Sequence, residues 1–372
     1  MKIKKKFRVE ILVIVCTLLI SYVGSAFVLN RTLAPEDVRI RNFFMEDKNS
    51  LDVVVIGSSA VYTSYSAPLA WHEFGVTSYA LASAGAPMGI AKSMIIESEN
   101  RQKPKAIVVD LNGIMYNDFF ENKEGSLRLW IDNMPYSKNK MDTIREVVPK
   151  KDQDTYKFPI LKYHDNWKEI EQALPMALQE IETRIRKDNL AISGYAGVSS
   201  FAKRENIIEN IDFSQTTKLH KDSGKHLQEL LAYLQKKDTK NVVFMIPPRY
   251  YDEKMLDDRK ILNTASQMVQ KAGFQVYDLD QELHTMKLDP HYDYYNQDHV
   301  NIHGQRKVTK YLMERLQKDF QIQGNHSDHV KKKWDKEYQT YEKVYEFIDQ
   351  KIKSDYHKYW TYKDLRKQGV ID

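Results

Sequence analysis

Five short runs of this chain are apolar without the alternation that marks a strand with one wet face. They are Val53 to Ile56, Ser78 to Ala82, Ala106 to Leu111, Asn241 to Ile246 and Phe274 to Leu279. A strand written this way has to be covered on both sides, which is the condition of a parallel sheet clothed by helices. The intervals agree, since helical text such as Lys260 to Ala272 lies between the last two runs. Strands at helical spacing imply βαβ units and an α/β, doubly wound sheet. Ligands of such sheets sit beyond the carboxyl ends of the strands. Gly57-Ser58-Ser59 occupies one of those ends.

Ahead of the first run stand twenty uncharged positions, ILVIVCTLLISYVGSAFVLN, residues 11 to 30. As a helix they reach about 30 Å, the depth of a bilayer's hydrocarbon core. Lys2, Lys4, Lys5, Lys6 and Arg8 precede them and only Arg31 follows closely, so the amino terminus is expected to be cytoplasmic and the rest outside. Cleavage before Ala26, after Val23-Gly24-Ser25, is the alternative; the length of the apolar run favours an uncleaved anchor. The first ten residues carry a net +4 of the formal +5, so the remainder is close to neutral and does not read as a nucleic-acid binder. The single cysteine, Cys16, lies in the apolar run, so the outer part has to be held by its core rather than by disulfides.

Four segments follow: tail and anchor over 1–31, a charged stalk over 32–51, the α/β region over 52–324, and an extension over 325–372. Between 117 and 216 the strand pattern gives way to helical text, too long for an idle loop and expected to be a helical cap over the strand ends. In the extension, Trp334, Tyr338, Tyr341, Tyr345, Ile348 and Ile352 recur at steps of three and four, an amphipathic helix expected to pack on its own domain.

DVVVIGSSAVY raises a chemical question, because two adjacent hydroxyls close the first buried strand with no good helix pattern for several residues after them. Gly-Ser-Ser is ordinary turn text. Near the end of the α/β region, however, DYYNQDHVNIHGQRKVTKYL sets His299 just ahead of a helix, on the sheet edge where the serine loop also lies. A serine is a weak nucleophile until an imidazole takes its proton, and a third group usually orients that imidazole. His291, Asp293, Asp298, His299 and His303 crowd the same stretch, but no metal-ligand spacing organises them. The loop also lacks the ending of a phosphate-binding loop, so neither a metal nor another cofactor is expected.

On GSS at 57 to 59 and the H-x-N-x-x-G pattern of His299, Asn301 and Gly304, the chain resembles the SGNH or GDSL-like hydrolases. It is more similar to their membrane-anchored bacterial branch, which includes alginate O-acetylation and lipoteichoic acid D-alanylation proteins. SSAVYTSYSAPLAWHEFGVTSYALASAGAP resembles that branch's first two blocks and KYHDNWKEI its cap. The resemblance implies a three-layer fold with a flavodoxin-like parallel sheet. It also implies Ser59 as nucleophile, with Ser58 as fallback, and His299 as general base. The oxyanion donors would be the backbone N–H groups of Ser59 and Gly85 and the side chain of Asn112. Asn301, and His164 and Trp167 of the cap, would meet substrate. The chain departs from the family in having Asn296 where an aspartate usually stands three residues before the histidine, with Asp298 adjacent to it. Three outcomes follow: Asp298 or Asp293 substitutes, a Ser-His dyad works slowly, or the site only binds.

The expected activity is serine-dependent transfer of an acyl group, an acetyl above all, to a cell-surface glycan or teichoic-type polymer. An integral membrane acyltransferase is the expected partner, and the polymer and partner rest on the resemblance. Esterase action by the same residues and a membrane-tethered glycan-binding scaffold are the alternatives.

Overall fold

The computed structural model describes residues 2–31, 37–116, 120–187, 190, 198–199, 207–208, 211–354 and 358–371. Its centre is a sheet of five parallel strands, β1 (Val53–Gly57), β2 (Ser78–Ala82), β3 (Ala106–Asp110), β4 (Val242–Ile246) and β5 (Val276–Asp278), in the order β2-β1-β3-β4-β5. This is the doubly wound, flavodoxin-like order, in which β1 lies between β2 and β3, with Ile56 beside Leu81 on one side and Val109 on the other. The unalternating text is explained by burial: every residue of β2, β3 and β4 is buried, and so are the first four of β1.

Helices cover the sheet in two groups. The first is α3 (Ser59–Ser64) and α4 (Ala67–Phe74), which pack on β2, and α13 (Ile302–Phe320), which packs on both. The second is α5 (Met88–Gln102), packed on β1 and β3 and backed by α7 (Lys138–Val147) and α11 (Lys221–Lys236). The α4 boundaries follow local chemistry: the Ser66 hydroxyl accepts from the Leu69 N–H, proline stands in the first turn, and Gly75 closes the helix in the left-handed region. α3 was not legible as a helix. It starts at Ser59 itself, and because Ala60 to Ser64 are all buried it shows no apolar period.

The charged stretch after the apolar helix is not a free stalk. Residues 37–45 form α2 (Asp37–Met45), which packs on β2. Its charges have internal partners: Arg39, 1% exposed, donates to the Ala82 carbonyl at 3.1 Å and lies 3.6 Å over the Tyr62 ring. Glu46 pairs with Lys333 at 2.6 Å. The extension forms α14 (Asp328–Lys353), which buries Trp334, Tyr341, Val344, Ile348 and Ile352 and packs on α4 and α13.

The described part of the 117–216 insertion is helical, with α6 (Phe120–Ile131), α7, α8 (Gln153–Lys157), α9 (Ile160–Tyr163) and α10 (Ile170–Arg186). These helices pack chiefly on α5, on α2 and on α1 (Lys2–Leu29). Of α1, residues Phe7–Leu29 form an exposed apolar helix long enough to cross a membrane.

Candidate active site

The carboxyl end of β1 runs directly under Asp110, the last residue of β3. A Cβ on Gly57 would lie 2.3 Å from the Asp110 Cβ, so only glycine lets the two strand ends meet. The next residue, Ser58, is fully buried and points at the same carboxylate. Its N–H donates to Asp110 Oδ2 at 2.9 Å and its hydroxyl donates to that oxygen at 2.5 Å. The other oxygen, Oδ1, accepts the Asn112 N–H at 2.7 Å. Burial pushes the Asp110 carboxyl up, against the pull of the Ser58 hydroxyl and these amides. Ser58 is therefore a strut between β1 and β3, its hydroxyl committed to Asp110, while it is the Ser59 hydroxyl that meets His299.

Ser59, half-buried, turns the other way. Its Oγ lies 2.7 Å from His299 Nε2, across 240 residues of sequence. The imidazole is delivered by a tight hairpin of β6 (Tyr294–Asn296) and β7 (His299–Val300), in which Asn296 pairs directly with His299 and only Gln297 and Asp298 intervene. Cross-strand partners carry their side chains on one face. Asn296 Oδ1 accordingly sits 2.8 Å from His299 Nδ1. The same oxygen accepts the Asp298 N–H at 3.1 Å. The Asp298 N–H, a donor in any state, settles which end of the amide is oxygen; facing that acceptor, Nδ1 is assigned the ring proton and Nε2 presents its lone pair to the Ser59 hydroxyl.

Neither aspartate takes the place of Asn296. Asp293 is buried and committed to Lys307 Nζ at 2.6 Å and the Asp289 N–H at 2.6 Å. The Asp298 carboxylate is half exposed and faces Arg249 Nη1 at 3.7 Å. Its charge still acts on the ring: burial lowers the His299 pKa from 6.5, Asp298 opposes that, and Arg249 adds to it. The ring is neutral at neutral pH, the state a general base requires.

Gly85, Ser59 and Asn112 follow β2, β1 and β3, three adjacent strands. The Ser83 N–H donates to the Gly57 carbonyl at 3.1 Å, and a Cβ on Gly113 would meet the Ala86 oxygen at 2.9 Å. The turn carrying Gly85 thus packs on the segment carrying Asn112. Arg249, 1% exposed, donates Nη2 to Asn112 Oδ1 at 2.6 Å, which assigns the oxygen end of that amide and leaves its NH2 end as the donor. Arg249 is itself held by Asp280, which accepts its backbone N–H at 2.7 Å, Arg259 Nη1 at 2.8 Å and the Tyr251 hydroxyl. Burial pushes the Asp280 carboxyl up to about 6, against the pull of Arg249 and Arg259.

The three substrate-contact candidates lie elsewhere or are already engaged. Asn301 is the N-cap of α13: its Oδ1 accepts the His303 and Gly304 N–H groups and its Nδ2 donates to the Tyr292 carbonyl. It orients the helix behind His299 and, 1% exposed, presents no surface to a ligand. His164 and Trp167 are exposed on a single turn whose Asn166 donates to the carbonyls of Leu29 and Arg31, so they stand at the end of α1. Two residues were missed in the sequence. Arg249 follows β4 in a Pro-Pro-Arg run that carries no mark of Asn112, 137 positions away. Tyr116 hydrogen-bonds Ser58 through its phenol, whose pKa burial raises; its only sequence signal was its place four residues after Asn112.

A cavity of about 270 Å³ lies between the start of α5, the end of α7 and α11, walled by Pro87, Leu127, Val147, Asp222 and His226 among others; neither Ser59 nor His299 lines it. Among the described residues no group of three or more His, Cys, Asp or Glu is arranged to hold a metal ion. A serine with a correctly tautomerised imidazole and amide donors at neighbouring strand ends can perform acyl transfer through a covalent ester. Compared with models of known protein families and with curated proteins, the chain matches none.

Proposed function

We propose that this protein is a membrane-anchored, extracytoplasmic serine O-acyltransferase that moves a small acyl group, an acetyl above all, onto a hydroxyl of a cell-surface glycan or teichoic-type polymer. An integral membrane acyltransferase would supply the acyl group. The observation that carries the reading is the relay Ser59 Oγ, His299 Nε2, His299 Nδ1, Asn296 Oδ1, with contacts of 2.7 and 2.8 Å. In the first step Ser59 Oγ bonds to the donor's carbonyl carbon while His299 takes the hydroxyl proton. The oxyanion is met by the Ser59 and Gly85 N–H groups and the Asn112 amide, each contributing about 3 kcal/mol. The imidazolium then protonates the leaving group, and acyl-Ser59 remains. An acceptor hydroxyl, giving its proton to His299, takes the acyl group and restores the serine.

Ser59 and His299 are both only half-buried. Water therefore competes as acceptor, which favours esterase action as the second reading. A fluorophosphonate probe tests the nucleophile: the full chain should be labelled, Ser58→Ala should keep labelling, and Ser59→Ala and His299→Ala should lose it. Folded wild-type protein that takes no label would leave a glycan-binding scaffold as the better description.

A further inference from the structure

Ten large apolar side chains are exposed outside α1 among the described residues, and nine of them lie between 136 and 185. Five form a stripe on α10: Ile170, Leu174, Leu178, Ile181 and Ile185. At 100° per residue they fall within an arc of about 80° along about 22 Å of helix. The face beside them, Ala173, Ala177 and Glu180, is buried. Such a stripe on a water-soluble surface would be an association site.

Its position identifies what covers it. α10 packs against α1. Arg31, just past the end of α1, pairs with Glu180 of α10 at 3.3 Å, and Asn166 clasps the carbonyls of Leu29 and Arg31 at 2.8 Å each. The other four exposed side chains, Tyr136, Phe158, Leu161 and Trp167, belong to the same neighbourhood: α9 and the turn bearing Trp167 also touch α1. The Tyr136 hydroxyl donates to the Lys157 carbonyl at 2.5 Å, next to Phe158. A surface tied to the last turn of a spanning helix stands at the level of lipid headgroups, where Trp and Tyr concentrate and where amphipathic helices lie flat.

We infer that α10 is an interfacial helix, laid with its Ile170–Ile185 stripe in the headgroup and upper acyl region of the outer leaflet, and that it holds the α/β domain against the membrane. The inference rests on the reading of α1 as an uncleaved anchor.

The test uses the full chain with Cys16→Ala and one new cysteine, Leu178→Cys or, as control, Tyr292→Cys. Each is labelled with a nitrobenzoxadiazole dye and reconstituted into phosphatidylcholine–phosphatidylglycerol vesicles. Flotation that survives alkaline carbonate establishes the anchor independently. The label at 178 should lose emission to headgroup-proximal nitroxide lipid and resist aqueous iodide, while the label at 292 should do the reverse. Vesicle-bound protein in which iodide reaches both labels equally would overturn the inference, leave the anchor standing and turn the stripe into a contact for a membrane protein. Chain stripped by carbonate would overturn both.

Discussion

Replacing Asn296 by aspartate would put a carboxylate oxygen where the amide oxygen now stands, 2.8 Å from His299 Nδ1. Unit charges about 4 Å apart at an effective dielectric of about 20 interact by about 4 kcal/mol. Repulsion from Asp298 on the next turn and solvent at the half-buried site reduce this, and a carboxylate–imidazolium contact of this kind moves a pKa by about 1–3 units. The sign is fixed by the ring. His299 sits below 6.5 in the wild type because burial outweighs Asp298, and only its neutral form accepts the Ser59 proton. Activity should therefore be lost as pH falls through a value under 6.5, and in Asn296→Asp that acid limb should move upward by about 1–3 pH units. The same charge stabilises the imidazolium of the transition state, so turnover above the limb should rise by about tenfold or more. In a serine protease the reverse change costs about ten-thousandfold because the amide selects the wrong tautomer. In this chain the Asp298 N–H already turns the Asn296 oxygen toward the ring, so the wild type lacks the charge but keeps the tautomer. The assay is the pH profile of aryl acetate hydrolysis for both proteins, with the His299 titration followed by NMR. An unmoved acid limb would refute the reasoning.

Ser58→Ala should lower stability in detergent by about 1–3 kcal/mol, because the buried Asp110 carboxyl loses its hydroxyl partner; chemical denaturation measures this, and Ser59→Ala should leave stability within about 0.5 kcal/mol. Asp280→Asn should cost about 3–5 kcal/mol in the same assay by leaving Arg249 and Arg259 short of a buried counter-charge. Arg249→Met releases the Asn112 amide and should lower kcat of ester hydrolysis by up to about a hundredfold, with KM changed far less.

The parallel sheet was legible because strands buried on both faces leave no alternation to confuse with anything else. The Ser59–His299 pairing was legible for a topological reason, since Ser59 follows β1 and the hairpin bearing His299 follows β5, and both strands belong to one parallel sheet. α2 was hidden by charge within it: Arg39 finds partners in Ala82 and Tyr62, which belong to two elements further along the chain. Asn301 shows the limit of a motif: Asn ahead of a Gly-containing first turn is equally the signature of a helix cap, and the cap is what the residue makes. Arg249 could not be found from sequence, because its meaning lies in Asn112, 137 positions away. His164 and Trp167 were assigned to a cap that meets substrate; nothing in their text indicates the end of α1, where their turn lies.

The most direct measurement is peptide mass mapping of the full chain after brief exposure to an activated acetyl ester and acid quenching. The account predicts an acetyl increment on Ser59 in the wild type, absent after His299→Ala. An increment on Ser58 alone, or a folded wild type with no acylated serine, would contradict it.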